Sequence, residues 1–590
     1  MNAVRNCGFA PEVRDEQTSR MLISARSLRG AALLVGLAGS ISPLHGAGNS
    51  PGPGPASPDR YIAAVRTFAD NVLALGTDHY GPVPTPLFVD GIDVDTHAPV
   101  KWKSRDGHEW VLSDFANQQN LLRTLDGLTT LTSEPRYRAA ATAATRYAFD
   151  HLDRGGLLAW GGHMAYNASD ARIESAENKG AFHELKSHYP YYEFLWQVDP
   201  AKTKTLMENI WRGHILDWSN LDFNRHAPKV KPGPLWDSVY TGGPVFFWGH
   251  GLTFHNAGSD LYYDAAILSR LSGEAGPLVW AKRLAHRYVE TRNPQTGLGG
   301  FQFSQDKSAM CDEFNHPEIR GDRAEYFFAA DFPGHLVVEG TLFPNYGDTP
   351  ETAQRICQMT IADKLGTDGR EFSQWAVEEL TACGKAAFRA SDCKFIPMLT
   401  DGTSMEGYVV KKDGYYGPKG RVLRAGKAQT RHFWAYAMAF RQSGDPFMWE
   451  MARAIALGNG LGDIGPKPGD APATLRVQGS EPTALFGFLE LYRATQNQVF
   501  LDAARQVGDA ILKSRFNGGL FVLRDRQFAS FDRAEPLALL QLAATIEGRP
   551  QTVPAYPGGA GFYSADYGTQ LNQYDSFIYA LPRRPKPAAP

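Results

Sequence analysis

Three short stretches, Trp160-Gly161-Gly162-His163, His183-Glu184 and Asn224-Arg225-His226, place metal-capable side chains in apolar and aromatic runs. The imidazoles of His163 and His226 with the carboxylate of Glu184 make a ligand set suited to one divalent transition metal. Arg225 adds a fixed positive charge with a planar, forked donor. That combination suits an acidic sugar, whose carboxylate can be neutralised from two sides. The three candidate ligands lie 21 and 42 positions apart, so only a fold can bring them together.

Each residue also has an ordinary reading. A histidine after Gly-Gly is often a turn residue bonded to backbone, and Glu184 alone reads as a surface carboxylate. His226 beside Arg225 would also suit an anion-binding loop without metal. His183, Glu184 and His188 lack the HExxH spacing that puts two histidines on one helical face, which sets aside a zinc protease. Two histidines and a carboxylate also serve oxygen-activating iron enzymes, but those sit on β-barrels. Lys101, Trp102 and Trp160 are candidates to line a groove for sugars, with ordinary packing or solvation as the alternative. Asp126, Asp217 and Asp260 could serve a hydrolase, or cap helices and line the mouth of the fold.

The elements that must position these residues read as helical hairpins. A helix, a tight polar turn, a second helix and a Gly-Leu loop recur over 120–152, 261–291, 431–457 and 483–514. Leu121, Leu125, Leu128 and Leu131 recur three and four apart, which describes one helical face. Turns such as Ser443-Gly444-Asp445-Pro446 end one helix and start the next. A lone helical hairpin has no core, so such units stack. The expected class is all-α dominated: an α/α toroid of helical hairpins in one catalytic domain, 59–585, with an open solenoid as the alternative. The choice of toroid rests on analogy with carbohydrate-active toroids. Pro, Gly and aromatics interrupt the rhythm over 306–345, predicting a lid or a small irregular or β insertion. Arg320-Gly-Asp-Arg-Ala-Glu325 within it reads equally as a solvated turn.

Sixty basic against 63 acidic residues, with no polybasic run, argue against nucleic acid as a partner. Arg26 and Arg29 precede the apolar run Ala31–Ala38 and then small residues, which reads as a secretory signal within 1–48. Met21 would be a cleaner start than Met1, and cleavage after Ser40 or Ala47 fits equally. That run is too short to span a bilayer, which needs ~20 apolar residues, and no later stretch predicts a membrane anchor. Residues 49–58 are a Pro/Gly linker. The expected location is exported, periplasmic or secreted. Cys311, Cys357, Cys383 and Cys393 remain beyond the leader, as buried thiols or with a Cys383–Cys393 clasp.

Pro84-Thr-Pro-Leu-Phe-Val-Asp-Gly91, Trp160-Gly-Gly-His163, Lys179-Gly180, His183-Glu-Leu-Lys186, and Leu216-Asp-Trp218 through Asn224-Arg-His226 resemble landmarks of polysaccharide lyase family 2, pectate lyases often found in the periplasm. The resemblance runs from about Tyr61 to Gln305. It implies His163, Glu184 and His226 as ligands of one divalent metal, often manganese, and Arg225 as base. The implied reaction is β-elimination on polygalacturonate or its oligomers. The hydrogen at C5 becomes acidic once the neighbouring carboxylate is neutralised, by a cation acting as Lewis acid and by preorganised positive side chains. An arginine base is unusual, because free arginine keeps its proton to above pH ~12; the alternative role for Arg225 is to orient and neutralise. The competing functions are a toroidal glycoside hydrolase, which needs paired carboxylates, and a noncatalytic glycan-binding protein.

Overall fold

The computed structural model describes residues 58–103, 108–161, 164–175, 182–306, 322–344, 349–523 and 527–559. The expected leader and, but for Pro58, the linker therefore lie outside the described residues, as do His163, Lys179, Cys311 and Arg320. Fifteen α-helices occur among the described residues: α1 (Asp59–Asn71), α2 (Gln119–Thr132), α3 (Pro135–His151), α4 (Tyr192–Val198), α5 (Pro200–His214), α6 (His255–Ser272), α7 (Ala275–Glu290), α8 (Arg323–Phe328), α9 (Ala353–Leu365), α10 (Arg370–Ala386), α11 (Thr430–Ser443), α12 (Pro446–Gly458), α13 (Pro482–Thr495), α14 (Gln498–Arg515) and α15 (Ala534–Ile546).

Two kinds of helix alternate. Helices α2, α6, α11, α13 and α15 are buried over most of their surface, as expected of helices surrounded by protein. Their partners bury one stripe. In α3, Tyr137, Ala141, Ala144, Thr145 and Ala148 face the core while Arg146 does not. The inner helices pack on one another in the order α6, α9, α11, α13, α15, α2, and α4 joins α6. Residues just before α4 complete the circuit: Tyr191 N–H donates to Gln119 Oε1 (2.9 Å) and Arg123 Nη2 donates to Tyr189 O (2.6 Å).

Closure decides between toroid and solenoid. Helix α15, near the C-terminal end, packs against α1 and α2, and Tyr61 Oη on α1 donates to Asp509 Oδ1 on α14 at 2.9 Å. Among the described residues the ring is thus an α/α toroid of seven pairs, with α1 the outer partner of α15. The expected four hairpins are all present, and the turns have clear causes. Ser133, Gly273, Gly444 and Gln496 end their helices in the left-handed conformation, which glycine adopts without a Cβ penalty. Asp199 and Asp445 cap the following helices ahead of Pro200 and Pro446.

This geometry sorts the loops. Turns from inner to outer helix are short, whereas the returns 152–191, 215–254, 291–352 and 387–429 are long. All long returns feed the N-terminal ends of inner helices, so they gather at one mouth. The interrupted segment meets the return after α10: Leu342–Phe343 pairs antiparallel with Met398–Leu399, and Phe327, Phe328, Val337, Met405 and Tyr416 share a separate apolar cluster. The solvated-turn reading fails for Asp322 and Arg323, both buried. Asp322 caps α8, and Arg323 forms a two-pronged ion pair with Glu339 at 2.9 Å on each prong. Cys357, Cys383 and Cys393 are buried free thiols, so no Cys383–Cys393 clasp forms.

Candidate active site

Glu184 and His226 come together because two short strands pair antiparallel, His226 opposite Glu184 and Ala227 opposite His183. Leu185 N–H donates to Arg225 O (3.0 Å) and Phe182 N–H to Ala227 O (2.9 Å). On the other edge, Glu184 N–H donates to Trp160 O at 2.8 Å. Gly161 is needed there: its φ is +110°, and a Cβ would lie 2.6 Å from Glu184 Cβ.

The side chains converge on one carboxylate oxygen. Glu184 Oε1 lies 3.2 Å from His226 Nε2 and 3.4 Å from Arg225 Nε. Arg225 Nε–H also points at His226 Nε2, 3.3 Å away. Glu184 has no exposed side-chain surface, while Arg225 and His226 are each 22% exposed. The carboxylate is thus the floor, and the guanidinium and imidazole face the mouth. Burial lowers the His226 pKa despite the opposing effect of Glu184, which favours the neutral ring that ligates metals.

A second layer fixes this group. His183 Nδ1 meets His214 Nε2 at 2.8 Å, and His214 Nδ1 meets Asn224 O at 2.7 Å. Burial drives the His183 pKa well below its ordinary value and takes His214 down to about 3. Both rings are therefore neutral near pH 7. A carbonyl can only accept, so His214 Nδ1 donates, its Nε2 accepts, and His183 carries its proton on Nδ1. Asn224 Oδ1 in turn accepts from His226 N–H at 3.0 Å. Sequence reasoning missed His214 because a lone histidine at a helix end carries no signal of its own.

Trp160 is placed differently from the groove role expected of it. It is 3% exposed and stacks on His183 with ring centroids 6.1 Å apart, so its apolar bulk supports the Glu184 strand from beneath. Trp102 is likewise buried. Lys101 is exposed and pairs with Glu109 at 3.3 Å; among the described residues no contact joins it to Glu184, Arg225 or His226. The candidate hydrolase aspartates are structural. Asp126 holds Arg138 and Tyr191, Asp217 accepts from Ser219 N–H, and Asp260 accepts from Tyr189 N–H. No helix among the described residues is long and apolar enough to cross a membrane.

The α-1,2-mannosidase from Trichoderma reesei is similar in structure at a TM-score of 0.45 and 11% identity, over 83% of this chain and 94% of that one. A D-mannose isomerase gives a TM-score of 0.42 and 11% identity over 82% and 98%. By sequence, the pectate disaccharide-lyase of Dickeya dadantii (strain 3937) is 32% identical over 548 residues, covering 88% of this chain and 96% of that protein. The profile of the periplasmic pectate lyase family matches residues 85–566, which contain every candidate site residue. With this span, and with Glu184, Arg225 and His226 in mutual contact at the mouth of an α/α toroid, the chain belongs to the periplasmic pectate lyase family.

Proposed function

We propose that the protein is exported and cleaves polygalacturonate or its oligomers by β-elimination at Arg225, with one divalent cation held by His163, Glu184 and His226. The observation that carries this reading is the meeting of Glu184 Oε1, His226 Nε2 and Arg225 Nε within 3.2–3.4 Å at the mouth.

The described donors fit a cation. When the neutral His226 ring carries its proton on Nδ1, Nε2 accepts from Arg225 and has no proton to offer Glu184. Two lone-pair atoms then face each other at 3.2 Å, an arrangement that a shared positive charge stabilises. The spacing matches neighbouring ligands around a metal bonded at about 2.0–2.2 Å, which lie roughly 3.0–3.5 Å apart. His163 lies outside the described residues, and its assignment rests on the family resemblance. When bound, the cation supplies Lewis-acid neutralisation of the uronate carboxylate.

The chain's own residues do the rest. Glu184 and His226 would hold the cation that the uronate carboxylate meets, and Arg225 presents its fork alongside that carboxylate. Arg225 is placed to act as the base for the C5 proton. The C5–H pair becomes the C4–C5 double bond, the C4–O4 bond breaks, and O4 leaves with a proton from solvent. The mouth end of every inner helix is its N-terminus, and partial positive charge there favours a polyanion. Lys101, on a mouth loop, is proposed to meet a more distant uronate. The test is incubation with polygalacturonate, with and without chelator. Ultraviolet-absorbing unsaturated product that chelator abolishes is expected; saturated product would instead place the protein with toroidal hydrolases, and no product with glycan-binding proteins.

A further inference from the structure

Of the twelve tryptophans in the chain, Trp248 alone is exposed, at 44%. It lies on the strand Phe247–Gly249, which pairs in parallel with Ser304–Asp306, Trp248 opposite Gln305. Strand alternation turns Trp248 away from its neighbours. Phe247 packs inward near Phe303, with ring centroids 6.4 Å apart, and Gly249 is buried. No ring of the described residues packs on Trp248, and nearly half of the residue is exposed to solvent.

The strand is fastened to the active-site segment. His250 N–H and Gly251 N–H donate to the two carboxylate oxygens of Asp222 at 2.6 and 3.3 Å. Gly249 and Gly251 are glycines because of this approach: a Cβ would lie 2.7 Å from Asp222 Oδ1 in the first case and 2.0 Å from Phe223 O in the second. Asp222–Phe223 forms a strand that leads directly through Asn224 to Arg225. The exposed indole and the catalytic arginine therefore stand on two segments fastened together through the Asp222 carboxylate.

We propose that Trp248 is a stacking platform for a pyranose ring of the uronate chain, next to the bond that is cleaved. This rests on the pectate-cleaving reading above. A rigid, flat indole suits the C–H face of a sugar, and its broad surface orders little on binding. A charged side chain at this point would hold a carboxylate but not the ring. The platform would fix where along the polymer the C5 hydrogen meets Arg225.

Trp248→Ala and Trp248→Tyr are compared with wild type on polygalacturonate and on trigalacturonate, with metal content and melting temperature as controls. Trp248→Ala is expected to raise KM about tenfold, the size of one aromatic contact, with a smaller change in kcat. Trp248→Tyr should recover much of the loss, and metal content should not change. Titration with trigalacturonate should alter wild-type indole fluorescence and leave Trp248→Ala largely unresponsive. A wild-type KM and a wild-type fluorescence response in Trp248→Ala would overturn the platform. Should wild type give no unsaturated product, the pectate-lyase reading fails, whereas the fluorescence titration still decides whether Trp248 meets uronate.

Discussion

Gly161 is the residue whose substitution most directly exposes how the site is built. In Gly161→Ala the new methyl would stand 2.6 Å from Glu184 Cβ and 3.2 Å from Glu184 Cα and O. Carbon atoms rest at roughly 3.5–4.0 Å, so the Glu184 strand must retreat by about 1 Å. Holding alanine at φ +110° costs about 1–3 kcal/mol, and the overpacking adds about 1–3 kcal/mol. A displacement of about 1 Å at a catalytic group can lower turnover by roughly 100-fold. Gly155→Ala is the control: φ is +63° and nothing lies within 4 Å of the new methyl, so only about 1–2 kcal/mol of backbone strain is expected. The assays are thermal melting, metal titration and turnover on polygalacturonate. Gly161→Ala should lose metal affinity and about two orders of magnitude of turnover, whereas Gly155→Ala should melt slightly earlier and turn over normally. Equal damage in both variants, or full turnover in Gly161→Ala, would refute the claim that close backbone approach sets the Glu184 position.

Two further outcomes follow from groups behind the site and far from it. His214→Phe keeps a ring under His183 but loses the bond to Asn224 O, so metal affinity should fall about 10–100-fold; unchanged affinity by titration would deny His214 a positioning role. His432 is buried, accepts from Gln429 N–H at 3.0 Å and meets Pro350 O at 3.0 Å, and burial takes its pKa down to about 3. Neutral when folded and charged below pH ~6.5 when unfolded, it binds its extra proton only in the unfolded chain. Its contribution to stability is therefore complete above pH ~6.5 and is lost as pH falls towards 3, at about 1.4 kcal/mol per pH unit. His432→Gln should flatten the fall in stability between pH 6 and 5 by about that amount in denaturant titrations; an unchanged slope would contradict the assignment.

The hairpins were legible because their causes are local. Leucines three and four apart and turns such as Ser443-Gly444-Asp445-Pro446 specify a helix pair without reference to the rest of the chain. Closure was not legible in this way, since the meeting of α1 with α15 is a contact between the two ends of the described chain. Analogy suggested the toroid; tertiary packing produced it. The contact of Glu184, Arg225 and His226 could be anticipated from residue types, but the His183–His214–Asn224 support could not, because it joins three elements through side chains with no common spacing. Tryptophan exposure was the least legible feature. Trp160, a candidate for the sugar groove, is core, while Trp248, in the apolar run Val245-Phe-Phe-Trp248, is exposed.

The central claim is that one cation and Arg225 share the work at this mouth, and equilibrium dialysis with Mn²⁺ combined with turnover tests it most directly. Wild type should bind one ion per chain, and Glu184→Gln and His226→Gln should lose it. Arg225→Lys, which keeps the charge but not the planar fork, should bind the ion normally while formation of unsaturated product collapses. Retention of one ion in both ligand variants, or near-normal turnover in Arg225→Lys, would contradict the account.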